Sequence, residues 1–214
     1  MAVTKLLKGY EMLMKQIAIA LMFLLFVSIT PCSASWLLFH KPEFKGKIVD
    51  IESKEPIEGA VVVAIYRKQV IGVGDSVTMD FDAREAVTDK DGSFRIPSYT
   101  TLIQPLSWSI PTQFIIFKPG YVCDGTLGRE EDFSGTGTVS DREYTASWNS
   151  SLKYKISKTG IVMLRKVTGK DRLESYSRFD SRLSLYQKEL PVINELIRSE
   201  DEIATDLERQ WRKK

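Results

Sequence analysis

A catalytic zinc site built from two histidines and a glutamate needs nitrogen ligands, and this chain has one histidine, His40. A Ser-His-Asp hydrolase would have to rest on the same His40. Ser150 and Lys153 have the serine–lysine spacing of some acyl-transfer enzymes, but they fall in a polar stretch with no helical pattern. Asp89, Asp91 and Gly92 resemble the opening of a calcium loop. The twelfth position counted from Asp89 is Thr100, where an EF-hand needs a bidentate glutamate. Asp75, Asp80, Asp82 and Glu85 form a second acidic stretch; a solvated loop is expected there, with calcium binding as the alternative. Gly72-Val73-Gly74 lacks the lysine and the spacing of a phosphate loop. No catalytic residue, cofactor site or metal ligand is assigned.

Four aromatic residues form the candidate binding surface: Trp108, Tyr144, Trp148 and Tyr154. Rings on loops can stack on sugars or anchor a protein interface; the competing reading has them capping a core. The elements that would position them read as strands and turns. Lys45–Ile51, Gly59–Tyr66, Ala83–Thr88, Ser93–Ile96, Gln113–Lys118 and Gly160–Arg165 are strand-like, and Gly59–Tyr66 has the β-branched character of a buried strand. Ser53–Pro56 is a turn. Asp89–Gly92 between two strands predicts a hairpin. Residues 67–82 read as a longer connection, and 124–158, rich in Gly, Ser, Thr and charge, as a long insertion. Over 170–214 the period changes: Val192, Ile193, Leu196, Ile197, Ile203, Leu207 and Trp211 recur at helical spacing. Ser199 with Glu202 has the form of a capping box, so two helices with a break near 199 are expected. They are expected to pack on their own domain, with a partner-binding helix as the alternative.

Ile17–Ile29 is 13 residues long and uncharged, with Lys15 before it and Pro31-Cys32-Ser33-Ala34-Ser35 after it. That is the layout of a secretory signal peptide over 1–35, with the start at Met1 or later at Met12 or Met14. The run is short for a membrane span of about 20 residues. Membrane contact is therefore expected only through an uncleaved or lipidated N-terminus, and Pro31 directly before Cys32 argues against lipidation. Removing residues 1–35 takes three lysines and one glutamate from 30 basic and 28 acidic residues, which leaves 27 of each. Zero net charge gives nucleic acid nothing to bind by electrostatics. Cys123 is then the single cysteine, which excludes an internal disulfide; a packed core thiol is expected, with an intermolecular bond as the alternative.

Four segments follow one another in a recognisable order: Phe44–Asp50 (FKGKIVD), Glu55–Val63 (EPIEGAVVV), Thr88–Phe94 (TDKDGSF) and Phe117–Tyr121 (FKPGY). Together they resemble the carboxypeptidase regulatory-like domain family. The resemblance implies a mainly-β fold, a transthyretin-like or Ig-like sandwich of about seven strands over 43–166, preceded by the signal-peptide helix and followed by C-terminal helices. It also implies an accessory role. The expectation is an exported, periplasmic or secreted, non-catalytic module that interacts with a protein partner in the cell envelope. Alternatives are a carbohydrate-binding module that takes a glycan on the loop aromatics and, third, a hydrolase.

Overall fold

Six consecutive side chains, Val61–Tyr66, are all buried, so both faces of their strand are covered. The computed structural model describes residues 14–19, 21–22, 38–72, 74–123, 126–135, 141–146, 149–157, 160–177, 183 and 189–212. Their order is β1 (Leu38–Lys41), β2 (Phe44–Asp50), β3 (Val61–Ile71), β4 (Ser76–Val87), β5 (Ser93–Ile96), β6 (Tyr99–Leu102), β7 (Ser107–Phe117), β8 (Thr126–Arg129), α1 (Glu130–Phe133), β9 (Arg142–Ala146), β10 (Asn149–Ile156), β11 (Ile161–Leu164), α2 (Gly169–Ser177) and α3 (Pro191–Trp211).

These strands form three open sheets. One is five-stranded, β5-β2-β11-β10-β9; one is four-stranded, β4-β3-β7-β8; and β1 pairs with β6 alone. In the five-stranded sheet β2 and β11 run parallel, with Ile48 opposite Val162. Val62, Ala64, Tyr66, Phe114 and Ile116 enter one core cluster with Phe44, Ile48, Phe94, Ile156 and Leu164 of the five-stranded sheet. Phe114 packs edge-on against Phe44 at 5.0 Å and against Phe133 of α1 at 4.7 Å, a geometry that adds to area burial. The alternate residues Val61, Val63, Ile65, Ile115 and Phe117 face a second cluster with Cys123, Leu183, Leu190 and Ile193. α2 and α3 therefore form a third layer, which explains the unbroken apolar run of β3.

The expected transthyretin-like or Ig-like sandwich of about seven strands is overturned by this topology, and the resemblance to the carboxypeptidase regulatory-like family goes with it. Among the described residues eleven strands lie in three sheets, none curled or closed, and helices cover the outer face of one of them in a mixed α/β arrangement. The four matching segments specify turns and buried strands, and such pieces do not fix which strands pair. Asp89–Gly92 shows this directly. It is not a hairpin turn, because β4 and β5 belong to different sheets. Gly92 has φ +72, and a Cβ there would stand 2.4 Å from Ile48 O. The turn is pressed against β2 as it passes from one sheet to the other.

Two other expectations are corrected. Residues 67–82 are not a connection: β3 and β4 continue through them, and only a short turn separates Ile71 from Ser76. The stretch 124–158 is not an open insertion, since it supplies β8, α1, β9 and β10 and buries Phe133, Tyr154 and Ile156. At the C-terminus one continuous helix replaces the expected two, and Ser199 Oγ donates to Leu196 O inside it instead of capping a new start. The N-terminus of α3 is capped from outside. The Glu85 carboxylate on β4 accepts the amides of Val192 and Ile193 at 2.9 and 3.0 Å, satisfying donors that a helix start leaves open. The first half of α3 packs on the sheet through Ile193, Leu196 and Ile197; Ile203 and Trp211 further along are exposed.

The signal-peptide expectation falls largely outside the described residues. Residues 14–19 and 21–22 are helical, with Met14, Ile17, Ile19, Leu21 and Met22 exposed. Among the described residues no helix is long and apolar enough to cross a membrane.

Candidate interaction surface

The inter-sheet core ends near Tyr66, and β3, β4 and β7 continue past it as a three-stranded arm. The change falls on a double irregularity: the register shifts between Tyr66 and Arg67 on the β4 side, and between Ile65 and Arg67 on the β7 side. Pro111 sits within the β7 shift, a position that tolerates a residue with no N–H. Arg67 spans the irregularity through Nε and Nη2, which donate to Pro111 O at 3.2 and 2.9 Å.

A buried ion pair holds this base. β8 pairs with β7 only from Gln113 to Ile115, so Ile110 O and Thr112 N–H lose their neighbour on that side. Lys41 Nζ donates to Ile110 O at 2.9 Å and to Glu130 Oε2 at 2.6 Å, while the same oxygen accepts Thr112 N–H at 2.7 Å. Lys41 is 4% exposed. A lysine and a glutamate thus complete the ladder where a strand stops, as buried polar groups require. Beside them Tyr66 stacks on Tyr99 with centroids 4.7 Å apart and planes 5° apart. The Tyr66 phenol is pushed up to about 12, chiefly by burial and further by Asp82.

On the arm, Trp108, Gln69 and Thr78 are directly opposite one another and share a face, and Ile71, two residues beyond Gln69, shares it too. Leu106 adjoins them, its carbonyl accepting Ile71 N–H at 3.1 Å. Trp108 is 41% exposed, Ile71 55% and Leu106 64%. Leu106 also has φ +62, a left-handed conformation that costs a bulky residue about 1–2 kcal/mol. A large apolar side chain is therefore held in solvent on a strained turn, next to two more.

The structure does not gather the four predicted rings. Trp108 is on the arm. Tyr154 is buried in the inter-sheet core and offers no ring face. Tyr144 stands on β9 opposite Tyr154, and Trp148 lies outside the described residues. Ile71 escapes the sequence reading because 67–82 reads as a loop by its glycines; the alternation of Ser76–Phe81 is the signal for β4. The acidic residues disperse. Glu85 caps α3, Asp82 accepts Ala83 N–H, and Asp75 accepts Ser76 N–H in the arm's turn. Asp89 accepts the amides of Asp91 and Ser93. Among the described residues no three His, Cys, Asp or Glu side chains come together as metal ligands would. His40 Nδ1 is 2.7 Å from Thr100 Oγ1. Lys153 donates to Glu143 at 2.6 Å, and Ser150 is the second residue of β10.

A small pocket, with room for about one water molecule, lies where the turn after β7 meets α2 and α3. Cys123 is buried at its wall, as expected of a core thiol. Its N–H donates to Ser175 Oγ at 2.7 Å. Arg172 clamps Glu200 with two bonds of 2.6 and 2.5 Å, and that contact raises the guanidinium above its ordinary range. The Tyr176 phenol is pushed up to about 12 by burial first and then by Asp201. These groups satisfy each other and fasten α2 to α3, so the pocket reads as a joint of the fold. Searches of protein-family models, curated proteins and solved structures find no match to this chain.

Proposed function

We propose that this chain is an exported, non-catalytic interaction module that binds a protein partner of the cell envelope through the arm. The observation that carries this reading is the contiguous exposure of Ile71, Leu106 and Trp108 on a support stiffened by a buried ion pair. Contiguous exposed apolar positions mark interaction sites, and a tryptophan among aliphatic neighbours is the usual composition of an interface hot spot. A three-stranded support fixes the ring before binding, which lowers the ordering cost of association. Zero net charge over 36–214 agrees with a partner chosen by shape and apolar contact rather than by phosphate or anionic lipid.

The test is site-specific photo-cross-linking in the native host. A benzophenone side chain at position 108 is expected to give one dominant adduct, absent when the probe is at Lys90 on the exposed turn between β4 and β5. Ile71→Ser is expected to reduce that adduct at least fivefold. No adduct at 108, or the same adducts from 108 and 90, would count against the reading.

A further inference from the structure

Among the described residues β4 is an edge strand along its whole length, its only strand neighbour being β3. Edges of this kind invite pairing with another chain, and charged side chains are the common defence. β4 is defended over one half: Asp80, Asp82, Arg84 and Glu85 fall between residues 80 and 85. The arm half, Ser76-Val77-Thr78-Met79, carries no charge. Val77 is 56% exposed and Met79 47%. They share the face opposite to Trp108, since they stand across from Val70 and Lys68.

We propose that this undefended edge pairs antiparallel with the same edge of a second copy, with Thr78 on the two-fold axis. The sequence is self-complementary in that register. Thr78 meets the partner's Thr78, Val77 meets the partner's Met79 on one face, and Ser76 meets the partner's Asp80 on the other. Thr–Thr and apolar cross-strand pairs are favourable. A two-fold contact requires such self-complementarity, and no like charges face each other across these five residues. Charge placement also sets the limit of pairing, because sliding the strands toward residues 80–85 would bring Asp80 and Asp82 against each other. The two β3-β4-β7 arms would join into one six-stranded sheet. Its two Trp108 patches would lie on a single face, giving the module two equivalent docking sites. A five-residue strand pair covers well below the ~1,600 Å² of a standard interface, so the dimer exchanges with monomer on the order of 100 μM.

Sedimentation velocity of the full chain across that concentration range tests this. The wild type is expected to shift from monomer to dimer. Val77→Lys and Met79→Glu are each expected to weaken association at least tenfold with circular dichroism unchanged, because both side chains are largely exposed. The double variant Val77→Lys, Met79→Glu places each lysine opposite the partner's glutamate and is expected to recover dimerisation in a salt-sensitive form. A wild type that stays monomeric throughout, a dimer indifferent to Val77→Lys, or a double variant weaker than both singles would each overturn the proposal. None of these results touches the adduct formed at position 108, which reports on the opposite face.

Discussion

The ion pair at the base of the arm allows a worked prediction. Glu130→Ala removes the oxygen that accepts both Lys41 Nζ and Thr112 N–H. Lys41, 4% exposed, keeps Ile110 O and the face of the Phe39 ring but loses its counter-charge, and the Thr112 amide loses its partner. Breaking a buried pair from one side costs about 3–5 kcal/mol. The Glu130 side chain is 24% exposed, which favours the lower end, about 3. The orphaned amide adds about 1 kcal/mol, for a total near 4. Lys41→Met retains the apolar stem and leaves Glu130 bonded to Thr112 and reachable by water, so about 1–2 kcal/mol is expected. The double variant buries no orphaned charge, and its cost should fall about 2 kcal/mol short of the sum of the singles. Urea unfolding followed by tryptophan fluorescence measures all three. At about 2–4 °C per kcal/mol for a chain of this size, Glu130→Ala should lower Tm by roughly 8–16 °C. A loss below about 1 kcal/mol in Glu130→Ala, or strict additivity in the double variant, would refute the claim that this pair completes the ladder of β7.

Further expectations concern titration. Tyr66 Oη is buried without a hydrogen-bond partner among the described residues, so Tyr66→Phe should leave Tm unchanged or raise it by about 2–4 °C, roughly 1 kcal/mol. The folded phenol titrates near 12 against an ordinary 10.0; the native state therefore holds its proton longer than the unfolded chain. Its contribution should be intact below pH 10 and lost between 10 and 12, and Tyr66→Phe should abolish that part of the alkaline loss. Glu143 is held at about 2 by Lys153 and Lys155. The contribution of this depressed carboxyl is present above the ordinary range near 4.5 and lost as pH falls through 2. Its carboxyl ¹³C shift should show that midpoint, and Lys153→Met with Lys155→Met should move it back up.

The sequence made buried strands legible and left pairing obscure. The start of β3 and the end of β7 are visible because their continuous β-branched and aromatic runs, bounded by turn residues, point to buried strands; β2, β5 and β11 are visible as short strand-like stretches between turn residues. The buried Phe94 and Cys123 follow from the same logic. The arm was hidden because Gly72 and Gly74 dominate the local signal, while the alternation of Ser76–Phe81 has no core face to fix its meaning. β1 and β6, four residues each, are too short for periodicity to register. Tyr154 stood out as a loop aromatic only because its strand lies in polar surroundings; the ring is core, and exposure is the property that composition carries least well. Glu85 illustrates the limit for polar residues: its partners are amides of Val192 and Ile193, over a hundred positions away.

The parallel pairing of β2 with β11 governs the order of assembly. β11 is the middle strand of its sheet, with β2 and β5 on one side and β10 and β9 on the other, yet among the described residues it is the last strand to emerge during synthesis. Until Ile161–Leu164 is available, β2 has an open edge and the sheet is two fragments. Contacts so distant in sequence slow folding and lengthen the time for which edges stand exposed. A chain crossing a membrane N-terminus first would meet this condition throughout its passage, and would depend on a holding factor until the final wedge arrives. Shortening the chain before residue 161 should leave a split sheet prone to aggregation, never a smaller version of the same fold.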